Sequence, residues 1–256
     1  MKRILLLINF LLITGTALLA QGTAGTGAKF EYRSLIDMPT AGILQKGYVG
    51  VTSDVLPGGL LIEKLEVGVF DNISFGISYG GENLIGAGSP KWYNAPGVNI
   101  RFRIINENIS MPALTVGFDS QGKGEYFDTT SRYAIKSPGF FAAASKNFEF
   151  LGYLSLHGTM NYSLESKDGE DFVDFQVGCE KTIGTSLSLI GEYDFAFNDN
   201  STYYGDGNGY LNVGIRWAIG NGFTLGFDLR DLLDNKKWSP SSADRALRIE
   251  YIKSIF

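Results

Sequence analysis

The side chains in this sequence that could do chemistry fall into one pattern: charged residues at alternate positions along otherwise apolar runs. Glu82, Arg101, Arg103, Asp119, His157, Glu192, Asp194, Arg216, Asp228, Arg230, Arg248 and Glu250 are its most prominent members. Carboxylates and arginines in such mixture do two things: they pair across neighbouring strands, or they line a polar path for a hydrophilic solute. Acid–base or nucleophilic catalysis is a poor fit. His157 is the only histidine, set between Ser155 and Thr159, and a hydrolase needs nucleophile, base and orienting group within mutual reach. Asp199, Asp206 and Asn208, interleaved with Gly205, Gly207 and Gly209, offer calcium-type oxygen ligands. Their spacing fits no standard calcium loop, and aspartate with glycine is ordinary turn chemistry. The expectation is therefore a non-enzymatic protein without cofactor or metal residues.

The elements that must position these charges are read from hydrophobic periodicity, and the period is two. Val98, Ile100, Phe102 and Ile104 alternate with Asn99, Arg101 and Arg103. Leu211, Val213, Ile215, Trp217 and Ile219 alternate with Asn212, Gly214, Arg216 and Ala218. Cys179 shares the apolar parity of Phe175 and Val177, and a single cysteine forms no internal disulfide. Twelve strands are expected, at 45–56, 60–70, 73–82, 97–106, 111–119, 139–147, 151–164, 171–182, 185–197, 209–219, 222–231 and 244–254.

A soluble sandwich alternates in the same way, so connection lengths decide the solvent. At one end the turns are tight: Asp71-Asn72, Asn106 to Asn108, Asn147-Phe148, Ile183-Gly184 and Gly220-Asn221. At the other end Asn83 to Pro96, Ser120 to Pro138, Asn198 to Asn208 and Leu232 to Ala243 are long and polar. Short turns, long loops and an even strand number mark a closed antiparallel up-and-down transmembrane β-barrel with short periplasmic turns and long outer loops. Rings agree: Tyr79, Phe118, Tyr162, Phe195 and Phe197 fall toward the outer rim, and Trp217, Phe223 and Tyr251 toward the periplasmic rim. The fold class expected is all-β.

Residues 1–20 read as a signal peptide: Lys2 and Arg3 precede an apolar run from Ile4 to Ile13, then small residues up to Ala20. Residues 21–44 form an N-terminal segment, and 45–256 the barrel. Lys29 to Thr40, with Tyr32, Leu35, Ile36 and Met38, is too apolar for a free tail and reads as a periplasmic plug or an added strand contact. The mildly acidic balance, a formal charge of −5, argues against nucleic acid as a partner. Hairpin register is expected to set Glu192 opposite Arg216. Small residues on the polar face, among them Gly178, Gly214 and Gly226, leave room inside or let strands coil. Lys236-Lys237-Trp238 reads as a solvated outer loop within reach of lipopolysaccharide.

Several stretches resemble the YjbH-like, exopolysaccharide-associated barrels of the bacterial outer membrane. They are Tyr79 to Gly88, Pro112 to Gly122, Lys136 to Phe148, Leu156 to Glu165, Gly191 to Asn198, Gly209 to Trp217 and Phe227 to Leu233. The resemblance implies an outer-membrane address and a link to polysaccharide export or surface display. It also implies the barrel-insertion machinery and polysaccharide or export components as partners, beside the lipid and lipopolysaccharide expected of the apolar face and outer loops; Phe256 is similar to the terminal aromatic that this machinery reads. Two functions stay open: passage of hydrophilic solutes or polysaccharide, and a closed-lumen barrel that binds a partner or envelope polymer through its outer loops.

Overall fold

A strand that alternates apolar and polar residues must bury one face, and which face is buried identifies the solvent. The computed structural model describes residues 30–200, 203–238 and 243–255. The expected signal segment, its cleavage point and Phe256 lie outside the described residues. The strands, in chain order, are β1 (Tyr48–Leu56), β2 (Leu60–Phe70), β3 (Ile73–Glu82), β4 (Lys91–Trp92), β5 (Gly97–Ile105), β6 (Ala113–Asp119), β7 (Lys123–Phe127) and β8 (Arg132–Ile135). Then follow β9 (Gly139–Glu149), β10 (Tyr153–Tyr162), β11 (Asp174–Ile183), β12 (Leu187–Asp194), β13 (Tyr210–Gly220), β14 (Phe223–Arg230) and β15 (Asp244–Ser254).

Thirteen of these share one sheet; the two-residue β4 is an appendage of β3, which leaves twelve wall strands. All pair antiparallel with their neighbours. β1 bonds β15 on one side and β2 on the other, and β2 bonds β3, so the sheet returns to its start. β7 and β8 form a separate hairpin inside the loop 120–138. The sequence reading gives that loop as long and polar and places no strand in it.

The wall is inverted relative to a soluble protein. In β5, Asn99, Arg101 and Arg103 are buried, whereas Val98, Ile100, Phe102 and Ile104 are exposed. In β13, Asn212 and Arg216 are buried, while Ile215, Trp217 and Ile219 face out. Arg101 is 2% exposed and its neighbour Phe102 is 43% exposed. Only an apolar solvent makes that arrangement favourable, and closure leaves no unpaired sheet edge in it.

Several strand ends shift by two or three residues from the sequence reading, and two of the differences have a clear local reason. The β5–β6 turn is longer than expected, because the Asn108 side chain accepts the N–H groups of Ser110 and Met111 at 2.9 Å each and builds its own turn. β12 stops at Asp194 because Ala196 takes φ 51°, and its N–H donates to the Asp194 carboxylate at 2.7 Å.

An arginine in place of Ile215, mid-strand on the outer face, is expected to cost about 2–4 kcal/mol of stability in phospholipid vesicles; the same change at Ile219, near the strand end, is expected to cost about 0–1 kcal/mol. Reversible urea unfolding measures both. Equal costs would contradict the assigned depth.

Candidate functional site

The polar wall encloses part of the chain itself. Residues 30–44 run inside the barrel as a narrow hairpin, closed by the Ser34–Pro39 bridge and by Leu35 N–H donating to the Met38 carbonyl at 3.0 Å. At its tip Leu35, Ile36 and Met38 cluster with Ile190, an apolar residue on the inward face of β12. Gly178 on β11 borders the tip: a Cβ there would lie 2.5 Å from Leu35 Cδ1, and that side chain would have to shift.

Wall side chains grip this hairpin mainly by its backbone. Glu192 accepts three N–H groups, from Ile36 at 2.9 Å, Asp37 at 2.8 Å and Met38 at 3.2 Å. Arg216 donates to Leu35 O at 2.8 Å, and Arg248 donates to Leu35 O and Ile36 O, each at 2.9 Å. Arg101 donates to Thr40 O at 3.1 Å, and Arg103 to Ala41 O at 2.7 Å. Thr159 donates to Pro39 O at 2.6 Å. The hairpin's own charges are matched as well: Arg33 pairs with Glu66 at 2.8 Å and with Glu250, Asp37 with Arg230 at 2.7 Å, and Glu31 with Arg103. Buried charges need such partners, because a desolvated and unpaired ion costs several kcal/mol.

The other charges singled out in the sequence sit on the same wall. Asp119 accepts from Lys64 at 2.7 Å and from Asn99 at 2.9 Å. Asp194 accepts from Gln176 at 2.8 Å. Arg248 also pairs with Asp54 at 2.7 Å. His157 Nδ1 lies 2.7 Å from Ser145 Oγ, with no carboxylate bonded to the ring. Glu82 lies at the outer end, 3.4 Å from Lys91.

The expected pairing of Glu192 with Arg216 is not found. Register sets Glu192 opposite Asn212 and Arg216 opposite Ser188. Arg216 pairs diagonally with Asp228 on β14, over Gly226, whose absent Cβ leaves the guanidinium its space. Glu192 needs no arginine, because the hairpin tip supplies three donors.

The outer loops fold over the mouth. Arg132, fully buried on β8, donates to Asp168 at 2.7 Å and Asp199 at 2.8 Å and stacks over the Tyr204 ring. Burial pulls the Asp168 carboxyl upward, yet the bonds from Lys136, the Glu170 N–H and Arg132 hold it below the usual carboxylate range. Nearby Glu165 is raised by burial, against hydrogen bonds from Ser137 and the Tyr133 N–H. Lys236 is buried and paired with Asp244, so it is not the solvated lysine expected; Lys237 pairs with Asp206 at 2.7 Å. Asp199 is spent on Arg132 and on the Tyr210 hydroxyl. The three oxygen residues of that loop therefore do not converge. Among the described residues no three His, Cys, Asp or Glu side chains cluster as metal ligands.

Among the described residues, cavities of about 80 Å³ beside the hairpin and about 180 Å³ beneath the outer loops remain, each with room for water. The apolar content of Lys29 to Thr40 marks this segment in the sequence, but the wall side chains that hold it, Arg132 and the role of Ile190 were missed; of these only Ile190, an apolar residue at a polar parity, carried a signal.

Comparison with known proteins yields a fold. Neither protein-family models nor curated sequences match the chain. Among solved structures, a KdgM porin aligns with a TM-score of 0.52 at 9% identity, over 82% of this chain and 99% of that one. A KdgM porin in complex with disordered oligogalacturonate aligns at 0.50 and 9% identity, with the same coverage. A NanC porin aligns at 0.44 and 9%, over 81% and 100%. The architecture is that of the outer-membrane porin barrels.

Replacing Glu192 by alanine leaves three hairpin N–H groups unpaired, at a cost of roughly 1–3 kcal/mol for a buried donor. Hydrogen exchange at Ile36, Asp37 and Met38 is expected to accelerate markedly while the wall strands stay protected. Unchanged protection at those amides would show that Glu192 does not hold the tip.

Proposed function

We propose that this protein is a non-enzymatic outer-membrane channel, closed in this conformation by its own residues 30–44 and opened to hydrophilic, chain-like solutes when that segment withdraws. The observation that carries the reading is the way the wall holds the hairpin. Arg101, Arg103, Arg216 and Arg248 all donate to main-chain carbonyls, whatever their other bonds. With the hairpin gone, the same donors face hydroxyl, carbonyl or carboxylate oxygens on a passing polymer. In this role Glu82, Arg101, Arg103, Asp119, His157, Glu192, Asp194, Arg216, Asp228, Arg230, Arg248 and Glu250 line the path.

A saccharide is the solute class that fits best, being linear, neutral to acidic and rich in oxygen acceptors. The resemblance to YjbH-like barrels supports a place in envelope polysaccharide export, and a porin of this fold in complex with an oligogalacturonate is compatible with that chemistry. The chain reaches the outer membrane through its signal peptide (1–20) and the barrel-insertion machinery, and there meets lipid and lipopolysaccharide. A second reading, a closed-lumen barrel that binds a partner or envelope polymer through its loops, is favoured by the Arg132 lock over the mouth.

Planar-bilayer recording separates the two. The full chain is expected to pass little current, and removal of residues 30–44 to give stable stepwise currents. Leu35→Cys with Gly178→Cys, in a Cys179→Ser background, is expected to stay silent when oxidised and to open more readily after reduction. A truncated barrel that migrates as folded on heat-modifiable gels yet never conducts would establish the closed-lumen reading instead. Loss of surface polysaccharide on gene deletion tests the export role.

A further inference from the structure

The outer loops touch the enclosed hairpin through Lys123, the first residue of β7. Its Nζ donates to the Ile36 carbonyl at 2.7 Å and lies 2.8 Å from the Asp37 carboxylate, both at the hairpin tip. The same Nζ lies 3.8 Å from Asp54 on β1. Lys123 therefore stands between two carboxylates, one on the hairpin and one on the wall. Each carboxylate also has an arginine of its own: Arg230 pairs with Asp37 at 2.7 Å, and Arg248 with Asp54 at 2.7 Å. Mostly buried, Lys123 needs a carboxylate beside it, since an unpaired buried charge is costly.

β7 is well anchored at its outer side. It pairs with β8, where Lys123 registers with Ile135 and Phe127 with Arg132. Arg132 ties this β7–β8 hairpin to two further loops through Asp168 and Asp199. Lys136, just past β8, adds Asp168 at 2.7 Å, Asn198 O at 2.8 Å and Glu170 O at 2.9 Å. On the other flank the Tyr93 hydroxyl donates to Gly124 O at 2.7 Å, and Lys91 to Tyr126 O at 3.2 Å. Tyr133 packs edge to face against both Tyr93 and Tyr126. The loops on either side are thus bound to β7–β8, and Lys123 carries that assembly down to the hairpin tip.

We propose that Lys123 is a latch that couples the outer loops to the closing hairpin. Outward movement of β7–β8 takes the ammonium off Ile36 O and Asp37 and loosens the hairpin tip. Withdrawal of the hairpin leaves Lys123 to Asp54. One ammonium with two alternative carboxylates is a two-state element that both ends bias, and the coupling is reciprocal. A solute that spreads the loops thereby favours the open barrel. The inference rests on the reading of residues 30–44 as the closing segment and gives that segment an outer trigger. If Lys123 only neutralised Asp37, loops and hairpin would respond independently.

Amide hydrogen exchange of the full chain refolded into detergent tests the coupling without any current, so its failure is distinct from failure of the channel reading. Arg132 bonds to loop residues, so its effect on the hairpin must travel through β7. Arg132→Ala is expected to accelerate exchange at Ile36, Asp37 and Met38 by about five-fold or more. In a Lys123→Met background, whose hairpin already exchanges faster, adding Arg132→Ala is expected to change those amides little, because the link is cut. This double-mutant cycle isolates the coupling. If Arg132→Ala fails the heat-modifiable migration test, Asp168→Asn, which removes one charge that holds it, is measured in its place. Unchanged exchange at the hairpin amides in a folded loop variant overturns the proposal. So does an acceleration of the same size with and without Lys123.

Discussion

A peptide group facing hydrocarbon without a hydrogen-bond partner costs several kcal/mol, and this single penalty shapes the protein. A sheet can escape it only by closing, which β1 achieves by pairing with β15 while β2 pairs with β3. Closure then assigns the two faces of every strand. One meets lipid and collects Phe102, Ile215 and Trp217; the other is shut away from it and collects Arg101, Arg216 and Glu192.

The second problem follows from the first. An enclosed wall of carboxylates and arginines must find partners or water, because desolvated charges left alone cost more than the fold can spare. Here much of the partner is the chain itself. Arginines of β5, β13 and β15 meet carbonyls of the inserted hairpin, and Glu192 of β12 meets its amides. The exchange is between wall side chains and a backbone, so it depends little on which side chains the hairpin carries. Leu35, Ile36 and Met38 add a small apolar anchor against Ile190.

Wall and hairpin therefore differ in kind. The wall is a continuous antiparallel ladder whose opening would expose backbone to lipid. The hairpin is bonded within itself at only a few points and is held mainly by side chains of the wall. The mouth loops are held in turn by the buried Arg132 and its carboxylates.

The wall was legible in the sequence because its information is local. Period-two alternation, tight turns at one end and long loops at the other are written within each strand and its neighbours, and the twelve wall strands lie close to where those signals place them. The inward parity of Arg101, Glu192 and Arg216 is equally local. Their partners were not legible. Arg216 meets Asp228 rather than Glu192 because register shifts which residues stand opposite, and Glu192 meets amides some 150 residues away in the chain. Arg132 is a loop residue by sequence and a fully buried anchor by structure. Strand identity rests on neighbours along the chain, whereas occupation of the lumen rests on which distant segment fits the space that closure creates; only the tertiary structure decides that.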